Sequence, residues 1–142
     1  MKAVLTLRNE MAELPRLLEF ATDFAQDFGL PDQERSRLLI IIDELFSNVV
    51  LYGYDRPDRR GAISVRLSCA DGILEIQLDD NGRAFDPLKA PAPDLDLSAA
   101  ERPVGGLGIY FVRKLVDEAR YVRRGNRNRL VLKRRIAPSA PV

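Results

Sequence analysis

The sequence predicts an α+β domain: a two-layer α/β sandwich with a mixed, mostly antiparallel sheet covered on one face by three helices. Several short runs alternate apolar and polar residues, which indicates strands with one buried face. The turn signal Asp71-Gly72 joins two of these runs, as in an antiparallel hairpin. Apolar residues also recur at helical spacing in longer segments, and those helices must bury their apolar face against the sheet.

The first half of the chain predicts one strand, two helices and a hairpin. Residues 2–7 alternate and predict the strand, and helical spacing predicts a helix over about 10–28, ended by Gly29. Pro31 and the acidic residues that follow it open a second helix that runs to about residue 51. The two runs that flank Asp71-Gly72 predict the paired strands.

The second half predicts a long loop, a helix and a second hairpin. Residues 88–104 are rich in proline and small residues, which is typical of a lid or binding loop. A helix is expected over about 107–118, and the last two strands over 119–124 and 129–136. We expect one domain over residues 1–137 and a disordered tail over 138–142.

Composition excludes several classes of protein. A chain of 142 residues fits one domain, and its net charge of +1 favours neither nucleic acid nor a membrane surface. The absence of histidine excludes a Ser-His-Asp triad and histidine-ligated metal. No apolar run reaches the roughly 20 residues needed to span a bilayer, and the N-terminus does not read as a signal peptide, so we expect a cytoplasmic protein. Cys69 lies in an alternating run and is expected in the core.

Glu44 and Asn48 are four residues apart and therefore share one face of the second predicted helix. A carboxylate can accept the proton of an attacking hydroxyl, and an amide oxygen is a hard ligand suited to Mg²⁺. The same pair is also compatible with an ordinary solvated stripe on an amphipathic helix.

Asp80 has the parity of the buried residues on its strand and is expected to point inward, whereas Asp79 is expected to be solvated. A buried carboxylate can accept a hydrogen bond from the exocyclic amine of adenine, and Gly82 would allow a ligand to approach the backbone. Asp80-Asn-Gly82 is equally compatible with a simple β-turn.

Gly105-Gly-Leu-Gly108 opens the third predicted helix, where free backbone N–H groups can bind phosphate. The alternative is a flexible linker before a helix. Basic residues crowd the last two strands, either as a solvated outer face or as a docking face for an acidic protein or nucleic acid. They are Arg120, Arg123, Arg124, Arg127, Arg129, Lys133, Arg134 and Arg135.

Taken together, three segments resemble the GHKL (histidine-kinase-like) ATPase superfamily, and within it the anti-sigma factor serine kinases of the RsbW and SpoIIAB type. Residues 44–54 are similar to that family's E-x-x-x-N-x-x-x-H-[AG]-Y helix end. Residues 80–87 are similar to its D-x-G-x-x-F-D-P segment, and residues 105–117 to its glycine box and following helix. The resemblance covers nearly the whole chain and implies the Bergerat fold.

The resemblance also implies a role for each matching position. Glu44 would be the general base, Asn48 the Mg²⁺ ligand, and residues 88–104 the ATP lid. The remaining contacts to ATP would come from Asp80, Gly82, Phe85, Gly105, Gly106, Leu107 and Gly108. Two positions depart from the pattern: Tyr52 replaces the common histidine, and the last strands lack a glycine-threonine box, although Asn126 stands where the family often has asparagine.

The activity implied is transfer of the ATP γ-phosphoryl group to a serine or threonine of a small anti-anti-sigma (STAS-type) partner. Members also silence a sigma factor and are usually homodimers, and neither nucleic acid nor a membrane is implied as a direct partner. Three alternatives stay open on the residues alone: a non-catalytic module that binds a regulator when ATP is bound, a basic nucleic-acid-binding domain, and an accessory kinase domain with other partners.

Overall fold

The computed structural model describes residues 2–54, 62–89 and 106–136. Within these ranges the chain forms five strands, which pair in the order β1-β2-β3-β5-β4, and three α-helices. The strands are β1 Lys2–Arg8, β2 Ala62–Ala70, β3 Ile73–Asp80, β4 Glu118–Arg124 and β5 Arg127–Arg135, and the helices are α1 Leu14–Phe28, α2 Asp32–Tyr52 and α3 Gly106–Leu115.

The predicted α+β sandwich is confirmed, with one difference in the sheet. All four strand pairings among the described residues are antiparallel, so the mixed sheet that we expected has no parallel pair there. The reason lies in the connections: two hairpins join β2 to β3 and β4 to β5, and antiparallel neighbours can follow from short turns whereas parallel ones need crossovers. Asp71 and Gly72 both have positive φ, at 54° and 74°, as a tight two-residue hairpin turn requires.

Two helix boundaries differ from the prediction. The first helix divides into a short 3₁₀ helix at Met11–Glu13 and α1, which has a proline in its first turn and ends at Gly29 in the left-handed conformation. The third helix ends at Leu115, three residues earlier than expected, because Glu118 already pairs with Lys133 in the sheet.

The core lies between the helices and the inner face of the sheet. Alternate residues of β2 and β3 are buried on this face, and α1 and α2 contribute their apolar stripes from the other side. Cys69 is 5 % exposed within this core, as predicted, and burial raises the pKa of its thiol. The largest fully buried side chains are Phe46, Leu17, Leu38, Ile41, Ile42, Ile63, Leu67, Leu74, Ile76 and Leu132.

A buried ion pair ties the helical layer to the sheet. Arg134 lies on the inner face of β5, and its guanidinium donates to both oxygens of Glu34 on α2, at 2.7 and 3.1 Å. The same guanidinium donates to the carbonyl of Leu115 at the end of α3, and Arg37 adds a further contact to Glu34 at 2.9 Å. The prediction of a solvated outer face is therefore wrong for Arg134.

Candidate functional site

Asp80 forms the floor of the candidate site at the end of β3. Its side chain points inward, as the parity of the strand predicts, and the residue is 4 % exposed. Its Oδ1 atom accepts hydrogen bonds from the backbone N–H of Gly82 and from Nδ2 of Asn128, both at 2.9 Å. Burial raises the pKa of the Asp80 carboxyl, and these two hydrogen bonds act in the opposite direction.

Asn128 belongs to the site, although the sequence analysis did not select it. It has the same inward parity on β5 as Leu130 and Leu132. A polar residue in this apolar stripe is the sequence feature that could have indicated its place in the site. Its Nδ2 donates to Asp80 and also to the carbonyl of Arg83 at 2.8 Å, while its Oδ1 accepts from the hydroxyl of Tyr121. Asn126, the asparagine noted from the resemblance, instead lies in the exposed turn between β4 and β5.

The segment after β3 is held against the end of α2. A Cβ on Gly82 would lie 2.3 Å from the carbonyl oxygen of Gly53, so only glycine allows this approach. The N–H of Arg83 donates to that same oxygen at 2.8 Å, and its Nε donates to the carbonyl of Tyr52 at 2.9 Å. Tyr52, which replaces the histidine of the family pattern, therefore contributes its backbone to this contact.

Asn48 lines the same pocket from α2. Its side chain is buried, and it has no hydrogen-bond partner among the residues that the structure describes. Its amide is not one of the fully buried groups that lack a partner, so its oxygen is accessible to a ligand in the pocket. The described residues contain no cluster of three or more His, Cys, Asp or Glu side chains, so no all-protein metal cage is present in that part of the chain.

The pocket is narrow. Its cavity volume is about 20 Å³, roughly the space of one water molecule. Two of its walls, Phe85 and Pro87, come from the segment after β3 that belongs to no strand. The lining residues are Leu45, Asn48, Val49, Gly53, Leu78, Asp80, Phe85, Pro87, Tyr121, Asn128 and Leu130.

Glu44 lies one helical turn before Asn48 on α2, at the solvent edge of the site. It is exposed, and its carboxylate reaches α3 at Gly108. A Cβ built on Gly108 would lie 2.0 Å from Glu44 Oε2, so the two helices approach through a glycine and a carboxylate. The exposed carboxylate of Glu44 therefore lies beside the start of α3, and Asp80 and Asn48 lie in the pocket that Leu45 of α2 also lines.

The other glycine-box positions are only partly described. Gly106 begins α3, and the backbone of Leu107 continues the helix, whereas Gly105 lies outside the described residues. Of the predicted lid, Leu88 and Lys89 lie in the short 3₁₀ helix Pro87–Lys89, and the rest lies outside the described residues. The predicted tail over 138–142 also lies outside them.

A sandwich of three helices on an antiparallel sheet, with an inward aspartate and an asparagine in one pocket and a glycine-opened helix that contacts Glu44, is the arrangement of a nucleotide-binding ATPase domain. The family model for the histidine kinase-like ATPase domain matches residues 7–134. The chain therefore belongs to the histidine kinase-like ATPase family, an ATP-binding family, and the resemblance inferred from the motifs is confirmed.

Similar proteins include named kinases. The chain is 30 % identical over 106 residues to the serine/threonine-protein kinase BtrW of Bordetella bronchiseptica, covering 75 % of this chain and 74 % of that protein. It is 31 % identical over 101 residues to the serine-protein kinase RsbW of Bacillus subtilis strain 168, covering 68 % of this chain and 62 % of that protein. The match thus spans about three-fifths of the length of RsbW.

A solved structure shares the fold. The crystal structure of the RsbU and RsbW domains of Rv1364c from Mycobacterium tuberculosis superposes with a TM-score of 0.71 at 19 % identity. The match covers 99 % of this chain and 34 % of that chain. No helix among the described residues has the length and apolar character needed to span a membrane.

Proposed function

We propose that this chain is an ATP-dependent protein serine/threonine kinase and anti-sigma regulatory factor. It transfers the γ-phosphoryl group of ATP to a serine or threonine of a small STAS-type anti-anti-sigma protein, and it sequesters a sigma factor. The observation that carries the proposal is the position of Glu44, whose exposed carboxylate lies against Gly108 beside the pocket of Asp80 and Asn48. The similarity to BtrW and RsbW, both named as kinases, supports the proposed reaction.

The proposed roles follow from burial and exposure. Asp80 is buried and accepts the hydrogen bond of the adenine amine through Oδ2, because Oδ1 already accepts two. By the family resemblance, Gly82, Phe85 and Leu107 would contact the nucleotide, and Gly105, Gly106 and Gly108 would form the glycine box at its phosphates. The N–H groups at the start of α3 suit an anion, since a helix N-terminus leaves them without intrahelical partners.

A magnesium ion fits the residues present. Mg²⁺ retains several waters and is usually held by a few protein oxygens together with substrate phosphates. The amide of Asn48 is a suitable ligand because it lines the pocket and lacks a partner among the described residues. When bound, Mg²⁺ would neutralise negative charge on the phosphates.

Glu44 meets the protein substrate because it is exposed, unlike Asp80. The hydroxyl oxygen of the partner attacks the γ-phosphorus of ATP. The bond between the γ-phosphorus and the β–γ bridging oxygen breaks, and the hydroxyl proton passes to the carboxylate of Glu44. Phosphoryl transfer demands mainly positioning and charge neutralisation. A general base of this kind contributes about 10²–10⁴-fold to the rate.

The test compares two neighbouring carboxylates of α2. Phosphate transfer from γ-labelled ATP to a STAS-type protein is measured for wild type, Glu44→Ala and Asp43→Ala, with ATP affinity measured in parallel. Asp43 is the matched control because its carboxylate accepts a hydrogen bond from Ser47 within the same helix. We expect Glu44→Ala to bind ATP and lose transfer, while Asp43→Ala retains both. Equal transfer by Glu44→Ala would remove the base assignment.

A non-catalytic module is the second candidate, and Tyr52 is the observation that favours it. A tyrosine stands where the family pattern has histidine, and its carbonyl holds Arg83 against the end of α2. Such a module would bind its regulator more tightly with ATP than without it and would transfer no phosphate. The labelled-ATP experiment distinguishes the kinase from the non-catalytic module.

The homodimer and the cytoplasmic location expected from the sequence are also part of the proposal. Sedimentation of the protein alone and with a sigma factor tests the homodimer. Imaging of a tagged chain tests the cytoplasmic location.

A further inference from the structure

The outer face of the sheet carries a basic groove near the turn between β4 and β5. This face is opposite the helices, since its residues alternate with the buried ones of each strand. The groove has a volume of about 400 Å³. Its lining residues are Asp79, Arg120, Val122, Arg124, Arg127, Asn128 and Arg129.

Three of the four arginines lack an acidic partner among the described residues. Arg129 is paired with Asp79, with Nε to Oδ1 at 2.9 Å and Nη2 to Oδ2 at 3.3 Å, so Asp79 is not the simply solvated residue that we expected. Arg120, Arg124 and Arg127 have no ion pair there. The groove therefore retains a surplus of positive charge.

The surplus of positive charge is confined to this groove, and it lowers the stability of the β4–β5 hairpin. Arg124 and Arg127 are directly opposite each other in the β4–β5 ladder, and like charges at such positions are destabilising. The whole chain has a net charge of only +1, so the positive charge of this groove is not a general property of the surface. A concave site lined by one sign of charge concentrates its field and attracts the opposite charge.

We propose that this groove docks an extended acidic segment of a partner protein. Side chains on one face of an extended strand recur about every 6.6–6.8 Å, so Arg120 and Arg124 lie two such repeats apart on β4, and Arg127 lies opposite Arg124. Carboxylates on one face of the segment would therefore meet these unpaired guanidinium groups. Single-stranded nucleic acid is disfavoured because, in the part of the chain that the structure describes, no aromatic side chain lines the groove to stack on its bases.

This surface does not include the proposed base, although Asn128 lines both the groove and the pocket of Asp80. Glu44 projects from α2 in the helical layer, whereas the groove lies on the opposite face of the sheet. A partner held in the groove would leave the surroundings of Glu44 open to a second protein. The proposal therefore goes beyond the proposed function and does not depend on kinase activity.

The test is a ¹⁵N NMR titration of the whole chain with an octaglutamate peptide. We expect amide shifts confined to β4, β5 and the end of β3, and an affinity that falls between about 50 and 200 mM salt. The triple variant Arg120→Gln, Arg124→Gln, Arg127→Gln should weaken binding by roughly tenfold, at the usual strength of exposed ion pairs. A matched triple variant removes the same amount of charge from the β1–β2 end of the same face: Lys2→Gln, Arg8→Gln and Arg66→Gln. This control variant should bind octaglutamate with the wild-type affinity.

Other outcomes would overturn the proposal. The first two are an absence of amide shifts and amide shifts elsewhere on the chain. The others are an equal loss of octaglutamate affinity in both triple variants, and tighter binding of octathymidylate than of octaglutamate in this groove. If the glutamine variant fails to fold, replacement of the same three arginines by lysine provides the second measurement. It keeps the charge, so binding must persist in that variant.

Discussion

The carboxylate of Glu44 occupies the space that a side chain on Gly108 would need: Oε2 lies 2.0 Å from the position of a Cβ on that glycine. Because Glu44 is exposed and flexible, an added methyl group would displace the carboxylate rather than the helix backbone. The glycine thus sets where the proposed base can lie. The position of this carboxylate, rather than the packing of the two helices, is what needs a residue without a side chain.

Gly108→Ala should therefore act through Glu44. We expect the rate of phosphate transfer to fall by about 10²-fold or more, as for loss of a general base, with a small change in stability. A double-mutant cycle with Glu44→Ala checks the cause. If the alanine works by displacing the carboxylate, it adds little in the Glu44→Ala background. Full additivity of the two losses would show that Gly108 acts elsewhere, for example on the phosphates.

Asp80→Asn should weaken nucleotide binding without unfolding the protein. The asparagine oxygen can still accept from Gly82 and Asn128, but its Nδ2 is a donor and cannot accept from the adenine amine. A ligand at a hundredfold excess over its Kd stabilises a protein by about 2.7 kcal/mol, which a thermal-shift titration with Mg-ATP detects. Asp79→Asn is the matched control, because Asp79 lies on the opposite face and pairs with Arg129. Equal shifts in wild type and Asp80→Asn would remove Asp80 from the site.

The pH dependence of the same residue has a defined sign. Burial raises the pKa of Asp80 above its usual 3.8, so the folded protein favours the neutral carboxyl and loses this contribution to stability as pH rises through the folded-state pKa. Asp80→Asn has no such loss. Its free energy of unfolding relative to wild type should therefore be higher at neutral pH than at acid pH, as measured by urea unfolding. A pH-independent difference would contradict this prediction.

Asn128 should set the pH at which nucleotide binding fails. Its hydrogen bond lowers the pKa of Asp80, so Asn128→Ala should move the acid loss of ATP affinity to higher pH. Tyr121→Phe is the control, since it removes only the hydroxyl that donates to Asn128. A weaker affinity with an unchanged pH midpoint would indicate that Asn128 shapes the pocket without acting on the carboxyl.

The Glu34–Arg134 pair should be important for stability, unlike the exposed pair of Arg129 and Asp79. Removing one partner of a buried pair costs about 3–5 kcal/mol, whereas exposed pairs contribute about 0–1 kcal/mol. We expect Arg134→Met to lower the free energy of unfolding several-fold more than Arg129→Met, as measured by urea unfolding. Equal costs would mean that Arg37 alone suffices for Glu34.

Acid titration provides a second check on this pair. The hydrogen bond from Arg134 is the main reason that the pKa of Glu34 lies below its usual 4.5. A lowered pKa contributes stability that is present above the unfolded-state value and lost as pH falls through the folded-state value. Glu34→Gln should therefore lose less stability than wild type between neutral and acid pH. Parallel profiles would show that the pKa of Glu34 is the same in the folded and unfolded protein, which contradicts the prediction.

Local patterns of the sequence determined the elements of this protein and the inward side of Asp80. Alternation and helical spacing act over a few residues, so the hairpin at Asp71-Gly72 and the face shared by Glu44 and Asn48 were predictable. The motif positions of Asp80 and Gly82 were predictable for the same reason, because they are adjacent in the chain. The assignments to Gly105 and to most of the lid stay predictions.

The tertiary structure alone decided which distant residues meet. Asn128 reaches Asp80 from a strand 48 residues away, and Arg134 reaches Glu34 across 100 residues. No local pattern encodes such contacts, because they depend on β5 inserting between β3 and β4 in the sheet. The strand order brings a polar residue to the pocket and a charge to the core. Arg123 also has inward parity and donates to the carbonyl of Gly82 at 2.8 Å, so the outward-facing arginines of β4 and β5 are the ones at alternate positions from Arg123, Asn128 and Arg134.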